Sequence, residues 1–136
     1  MLEKVIKYTD FKGEEREETF YFHLTKADIM EMQLEVKGGL STVLERITQT
    51  KDVPELIKIF KDLIKRSYGE MSPDGRKFIK NDQVWEDFKS TNAYSVLFME
   101  LAQDAKAASD FIRNVVPADL AEEVKKAEAK KISTKN

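Results

Sequence analysis

Residues 52–82, DVPELIKIFKDLIKRSYGEMSPDGRKFIKND, hold the strongest helix signal in the chain and its sharpest turn. Pro54 fits a helix start, where a missing N–H costs nothing, and Gly69 sits where a helix end favours a left-handed residue. Leu56, Ile59, Phe60, Leu63 and Ile64 recur at three- and four-residue spacing, so they share one helical face. Lys58, Lys61, Asp62 and Lys65 fall largely on the other. Ser72-Pro73-Asp74-Gly75 reads as a tight turn, with proline pre-setting φ and glycine closing it. The stretch therefore predicts a central core helix followed by a turn.

Outward from it, the 136-residue chain has the composition of one globular domain, with 41% apolar and 35% charged residues. Five glycines and three prolines favour helices over a turn-rich sandwich. The 23 basic and 25 acidic residues are interspersed and give a net charge of −2. No basic patch offers a footprint for phosphate backbones, which argues against nucleic-acid binding. The absence of cysteine excludes disulfides and thiolate metal sites and fits a reducing compartment. MLEKVIKYTD carries charges every few residues, unlike a signal peptide, and no stretch approaches the ~20 apolar residues of a membrane helix.

Toward the N-terminus, Leu2–Tyr8 and Thr19–Leu24 are rich in β-branched and aromatic residues around a polar DFKGEEREE. They predict a β-hairpin over about residues 2–24, turning near Lys12-Gly13 and lying on the helices that follow. Thr25 can cap a helix, with Asp28 near its positive end and Leu24 stapling onto Ile29. Met30, Met32, Leu34 and Val36 alternate with polar residues at a strand period. The cap and the helix-forming composition favour a helix from about Lys26 to Val36. Gly38-Gly39 reads as a helix-to-helix turn, and Leu40, Val43, Leu44 and Ile47 mark a short amphipathic helix.

Beyond the central stretch, Arg76–Lys80 reads as extended or as a short link. Asn81 or Asp82 then caps a helix carrying Val84, Trp85 and Phe88. Ser90-Thr91-Asn92 restarts the pattern with Tyr94, Leu97, Phe98 and Leu101. Asp104 begins a further helix with Ala108, Phe111, Ile112 and Val115, which Pro117 stops. The expected architecture is mainly α, a compact bundle of five to seven helices with a small N-terminal β-hairpin. It forms one domain over 1–125, with a frayed or disordered tail over 126–136.

Catalytic signatures are missing. His23, the single histidine, lies between Phe22 and Leu24 with no cysteine or second histidine for a nucleophilic or metal site. Asp74-Gly75 lacks the alternating oxygen ligands and closing glutamate of a calcium loop. Gly38-Gly39 lacks the Lys-Ser/Thr of a phosphate loop. Trp85, Phe78 and Phe88 have no basic groove to make them a base-stacking platform. No catalytic residue, metal or cofactor is expected, and the work falls to contact surfaces. Flexible, polarizable methionine suits such surfaces, which brings forward Met30 and Met32.

KYTDFKGEEREETFYFHLTKADIMEM, KGGLSTVLERI, IKIFKDLIKRSYGEMSPDGRKFIKND and AYSVLFMELAQDAKAASDFIRNVVPADLA together resemble the tail assembly chaperones of long-tailed bacteriophages, in order, over about Lys7–Ala121. The resemblance implies a non-enzymatic protein of the host cell cytoplasm, absent from the finished virion. It would bind the tape measure protein, keep it soluble and help recruit tail tube subunits. A programmed frameshift near the end of the reading frame would add a domain for the tube protein, and KKAEAKKISTKN is compatible with an A-rich slippery run. The expected partners are thus the tape measure and tube proteins, with room for self-association. The candidate contact residues are Met30, Met32 and Leu34, and the Phe111, Ile112, Val115 and Val116 face. A small structural virion component, for tail completion or head–tail joining, is the competing reading.

Overall fold

The computed structural model describes residues 1–49 and 51–118. The chain opens with two long strands, β1 (Leu2–Thr9) and β2 (Glu15–Phe22). Three helices follow: α1 (Lys26–Glu35), α2 (Gly39–Gln49) and α3 (Val53–Ser67). Two short strands, β3 (Tyr68–Met71) and β4 (Phe78–Ile79), lead to α4 (Asp82–Lys89), α5 (Asn92–Gln103) and α6 (Ala105–Val115). The anticipated tail over 126–136 lies outside the described residues.

The turn chemistry read from sequence is present. Asp10 accepts hydrogen bonds from the Lys12 and Glu14 backbone N–H groups, and Gly13 takes φ +87° to close the first hairpin. Gly38 and Gly39, at φ +84° and +61°, reverse the chain between α1 and α2. Asp52, Asn81 and Asp104 cap α3, α4 and α6 through their side chains.

The sheet corrects the expected mainly α bundle with a small N-terminal β-hairpin. All four strands join one antiparallel sheet in the order β1-β2-β3-β4, so the N-terminal hairpin is half of a larger layer. Tyr21 faces Gly69 and Phe22 faces Tyr68, a pairing across the three intervening helices. The molecule is an α+β fold rather than a helical bundle carrying a small hairpin. The Ser72–Gly75 turn proves to be the β3–β4 connection: Ser72 Oγ donates to Asp74, whose carboxylate accepts from the Arg76 N–H.

Gly69 is likewise not a left-handed helix cap. Ser67 ends α3 by donating its buried hydroxyl to the Leu63 and Ile64 carbonyls, and Tyr68 is already extended at φ −71°, ψ 140°. Gly69 lies within β3 opposite Tyr21, and it is the Phe78 ring that calls for glycine there: a Cβ would sit 2.7 Å from that ring.

The core lies between one sheet face and the later helices. Along β1, Leu2, Ile6 and Tyr8 face inward while Glu3, Val5 and Lys7 are exposed. Phe22 meets Phe88 of α4 at 5.8 Å and Phe111 of α6 at 5.3 Å, while Tyr68 stacks on Phe88 at 4.3 Å. Leu97 and Leu101 of α5 are buried in the same cluster. These aromatic contacts add edge-to-face and stacking geometry to the burial of large apolar area.

Candidate partner-binding surface

Among the described residues no group of three or more His, Asp or Glu side chains could hold a metal ion, and no helix is long and apolar enough to cross a membrane. His23 stands alone, its ring edge-on to Phe78 at 6.5 Å, with Nδ1 buried and lacking a hydrogen-bond partner. Burial, with help from the N-terminal charge and Lys80, holds its pKa below the usual imidazole range; Asp28 opposes the shift.

Helix α1 is the best-defined platform for a contact. Thr25 accepts from the Asp28 N–H, and Asp28 accepts from the Thr25 N–H, forming a reciprocal capping box. Lys80 Nζ lies 2.9 Å from Asp28 Oδ2, tying the first turn to the segment after β4. Burial alone would raise the Asp28 carboxyl, but the Thr25 N–H and Lys80 together hold it below the ordinary carboxylate range. At the other end Arg66 of α3 bridges Glu35 at 2.6 Å and Asp62 at 2.7 Å. The helix is therefore anchored at both ends as well as along its inner face, where Ile29 and Met32 are buried.

The sequence-derived residues separate cleanly on this frame. Met30 and Leu34, one turn apart, are 73% and 88% exposed, whereas Met32 is 2% exposed and packs inward. Phe111, Ile112, Val115 and Val116 are all buried. Phe111 packs on Phe22, and the Val115 carbonyl accepts the Leu24 N–H at 2.7 Å. All four belong to the buried core, and a partner could reach them only by opening the fold.

Two further outward pairs went unmarked in the sequence: Val53 and Ile57 on α3, and Val96 and Met99 on α5. Their signal is an apolar pair at helical spacing lying off the main apolar stripe, against Lys58, Lys61 and Lys65 in α3. Single exposed apolar residues are ordinary; a stripe of large ones on an immobilised helix is the informative case. On that measure α1 stands first, since Met30 and Leu34 are more exposed than either other pair.

Comparison with the curated proteins and with the solved structures gives no match. Over residues 1–136 the chain matches the family described as Phage tail assembly chaperone, and the protein belongs to that family.

Proposed function

We propose that this chaperone binds the tape measure protein, keeps it in solution, and helps bring tail tube subunits to it during tail assembly. The observation that carries the reading is the outward stripe of α1, with Met30 and Leu34 exposed on a helix fixed at both ends. A tape measure segment is a long amphipathic helix whose apolar stripe would otherwise drive aggregation. Laying that stripe against Met30 and Leu34 removes apolar surface of both partners from water. Methionine adapts to a sequence that varies along its length.

A contact made by so few side chains is weak, which suits a partner that must be released as tube subunits polymerise. Tube recruitment belongs, on this reading, to a longer form made by frameshifting. The protein acts by contact rather than catalysis, in the host cytoplasm, and leaves before the virion is complete.

Co-expression with the tape measure protein tests the reading. The expected result is a soluble complex by gel filtration, insoluble tape measure protein when this chain is omitted, and no copy of the chain in purified particles. A tape measure protein that is soluble alone and forms no complex refutes it.

A further inference from the structure

The edge of the sheet is a separate feature, independent of the chaperone reading. Strand β1 ends the sheet among the described residues, pairing with β2 along Leu2–Thr9 and with no strand on its other side. Among the described residues, the one hydrogen bond reaching its backbone from outside that ladder is from Asn92 Nδ2 to the Thr9 carbonyl. An open row of N–H and C=O groups is a template for another strand. Its exposed residues are Glu3, Val5 and Lys7, with Val5 at 56% exposure. Neither Glu3 nor Lys7 makes an ion pair among the described residues. Within the sheet Glu3 stands opposite Tyr21, and Lys7 opposite Glu17.

We propose that two copies of this chain pair through β1, edge to edge and antiparallel, with Val5 on the two-fold axis. The charge pattern selects both the occupant and the register. With Val5 opposite Val5, Glu3 of each copy meets Lys7 of the other, twice by symmetry, on the exposed face. Tyr8 of each copy then stands beside Leu2 of the other on the inner face. There Leu2 and Lys4 border an open groove of about 330 Å³ shared with Phe111 and Lys106 of α6.

Other registers lose this complementarity. Sliding the second copy by two residues one way sets Lys4, paired with Glu100 of its own copy at 2.8 Å, against Lys4, and Glu3 against Val5. Sliding it the other way sets Val5 against Lys7. Neither leaves an ion pair between the copies. A one-residue slip turns the charged face of one copy toward the helix side of the other. The selected contact is isologous, with the same patch serving both partners, so it closes at a dimer and does not propagate.

The test uses the full chain, which has no cysteine of its own. Directly opposed residues across an antiparallel pair have Cα atoms about 4.5–5.5 Å apart, within the roughly 4.4–6.8 Å that a disulfide spans. Val5→Cys should therefore cross-link symmetrically under oxidised glutathione. Thr19→Cys, on the same face but one strand further from the edge, should not. Sedimentation equilibrium should show a dimer that Glu3→Lys weakens roughly tenfold or more by turning both ion pairs into repulsions. Adding Lys7→Glu to Glu3→Lys should restore it. A monomer at every concentration overturns the proposal, as does a dimer indifferent to Glu3→Lys. Cross-linking of Val5→Cys no faster than of Thr19→Cys also overturns it, and that measurement stands even if a charge variant folds poorly.

Discussion

Replacing Met30 and Leu34 together by glutamine is the sharpest probe of the α1 surface. Glutamine matches leucine and methionine in helix propensity, so the change is confined to what the outward stripe presents. With Leu34 88% and Met30 73% exposed, and full burial of such a side chain worth about 2 kcal/mol, complete coverage by a partner gains about 3 kcal/mol for the pair. At 1.4 kcal/mol per decade, the double variant should weaken tape measure binding by about two orders of magnitude in Kd. Folding should hardly change, within about 0.5 kcal/mol, because neither side chain contributes to the core. Isothermal titration against a tape measure fragment gives the first quantity and urea unfolding gives the second. Val96→Gln with Met99→Gln, exposed on α5, controls for general loss of surface apolarity and should leave Kd unchanged. Unaltered binding in the α1 variant, or equal loss in the α5 control, would refute the assignment of the surface. A large loss of stability would show instead that Met30 and Leu34 support the fold.

Three further outcomes test the fold itself. His23 is kept neutral by burial, the N-terminal charge and Lys80, so its folded pKa lies below the unfolded value near 6.5. Stability should be complete above that pH and fall as pH drops from about 6.5 toward the lower folded pKa. His23→Gln should flatten thermal midpoints measured from pH 7 to 5.5, and an unchanged slope would contradict the assignment. Gly69→Ala would set a Cβ 2.7 Å from the Phe78 ring and 3.0 Å from the Ile79 carbonyl oxygen. Overpacking of this kind costs about 1–3 kcal/mol in urea unfolding, and Phe78→Ala should cost less in the Gly69→Ala background than alone. Thr25→Ala removes half of the capping box and should cost about 1 kcal/mol, read the same way. Exchange of the first-turn amides of α1 should accelerate in that variant.

Local chemistry was legible where it acts locally. Thr25, Asp52, Asn81 and Asp104 each announce a helix start, because a short polar side chain can satisfy an N–H two or three residues on. Gly13, Gly38, Gly39 and Gly75 mark reversals because their positive φ disfavours other residues. The four-stranded sheet was not legible, since β3 and β4 have four and two residues, too few to show a period. What makes residues 68–71 a strand is a partner far away in sequence, as Tyr21 opposite Gly69 shows. The break after Ser67 also carries no customary signal: the hydroxyl bonds back to Leu63 and Ile64 while the backbone turns extended. Gly69 looked like a helix cap because proximity to a helix end explains most such glycines. Here the approach of Phe78 explains it instead.

The helix over residues 26–35 shows why its outward apolar face was only half legible. Met30, Met32, Leu34 and Val36 alternate as a strand would, and a strand would place all four on one face. A helix turns by about 100° per residue, so residues two apart point to nearly opposite sides. The alternation thus divides: Met32 joins Ile29 in the core, while Met30 and Leu34 point outward. Folding needs only the inner set, and a helix selected for stability alone would carry polar residues at 30 and 34, as it does at Lys26, Glu31 and Glu35. The outer pair breaks the pattern that the rest of the helix obeys, at a place where the capping box and two sets of ion pairs tie the helix at both ends. Local rules broken on a well-supported element are a signature of functional positions. The residues that blurred the secondary-structure reading are therefore the ones that give α1 its exposed apolar pair, the surface proposed for the partner.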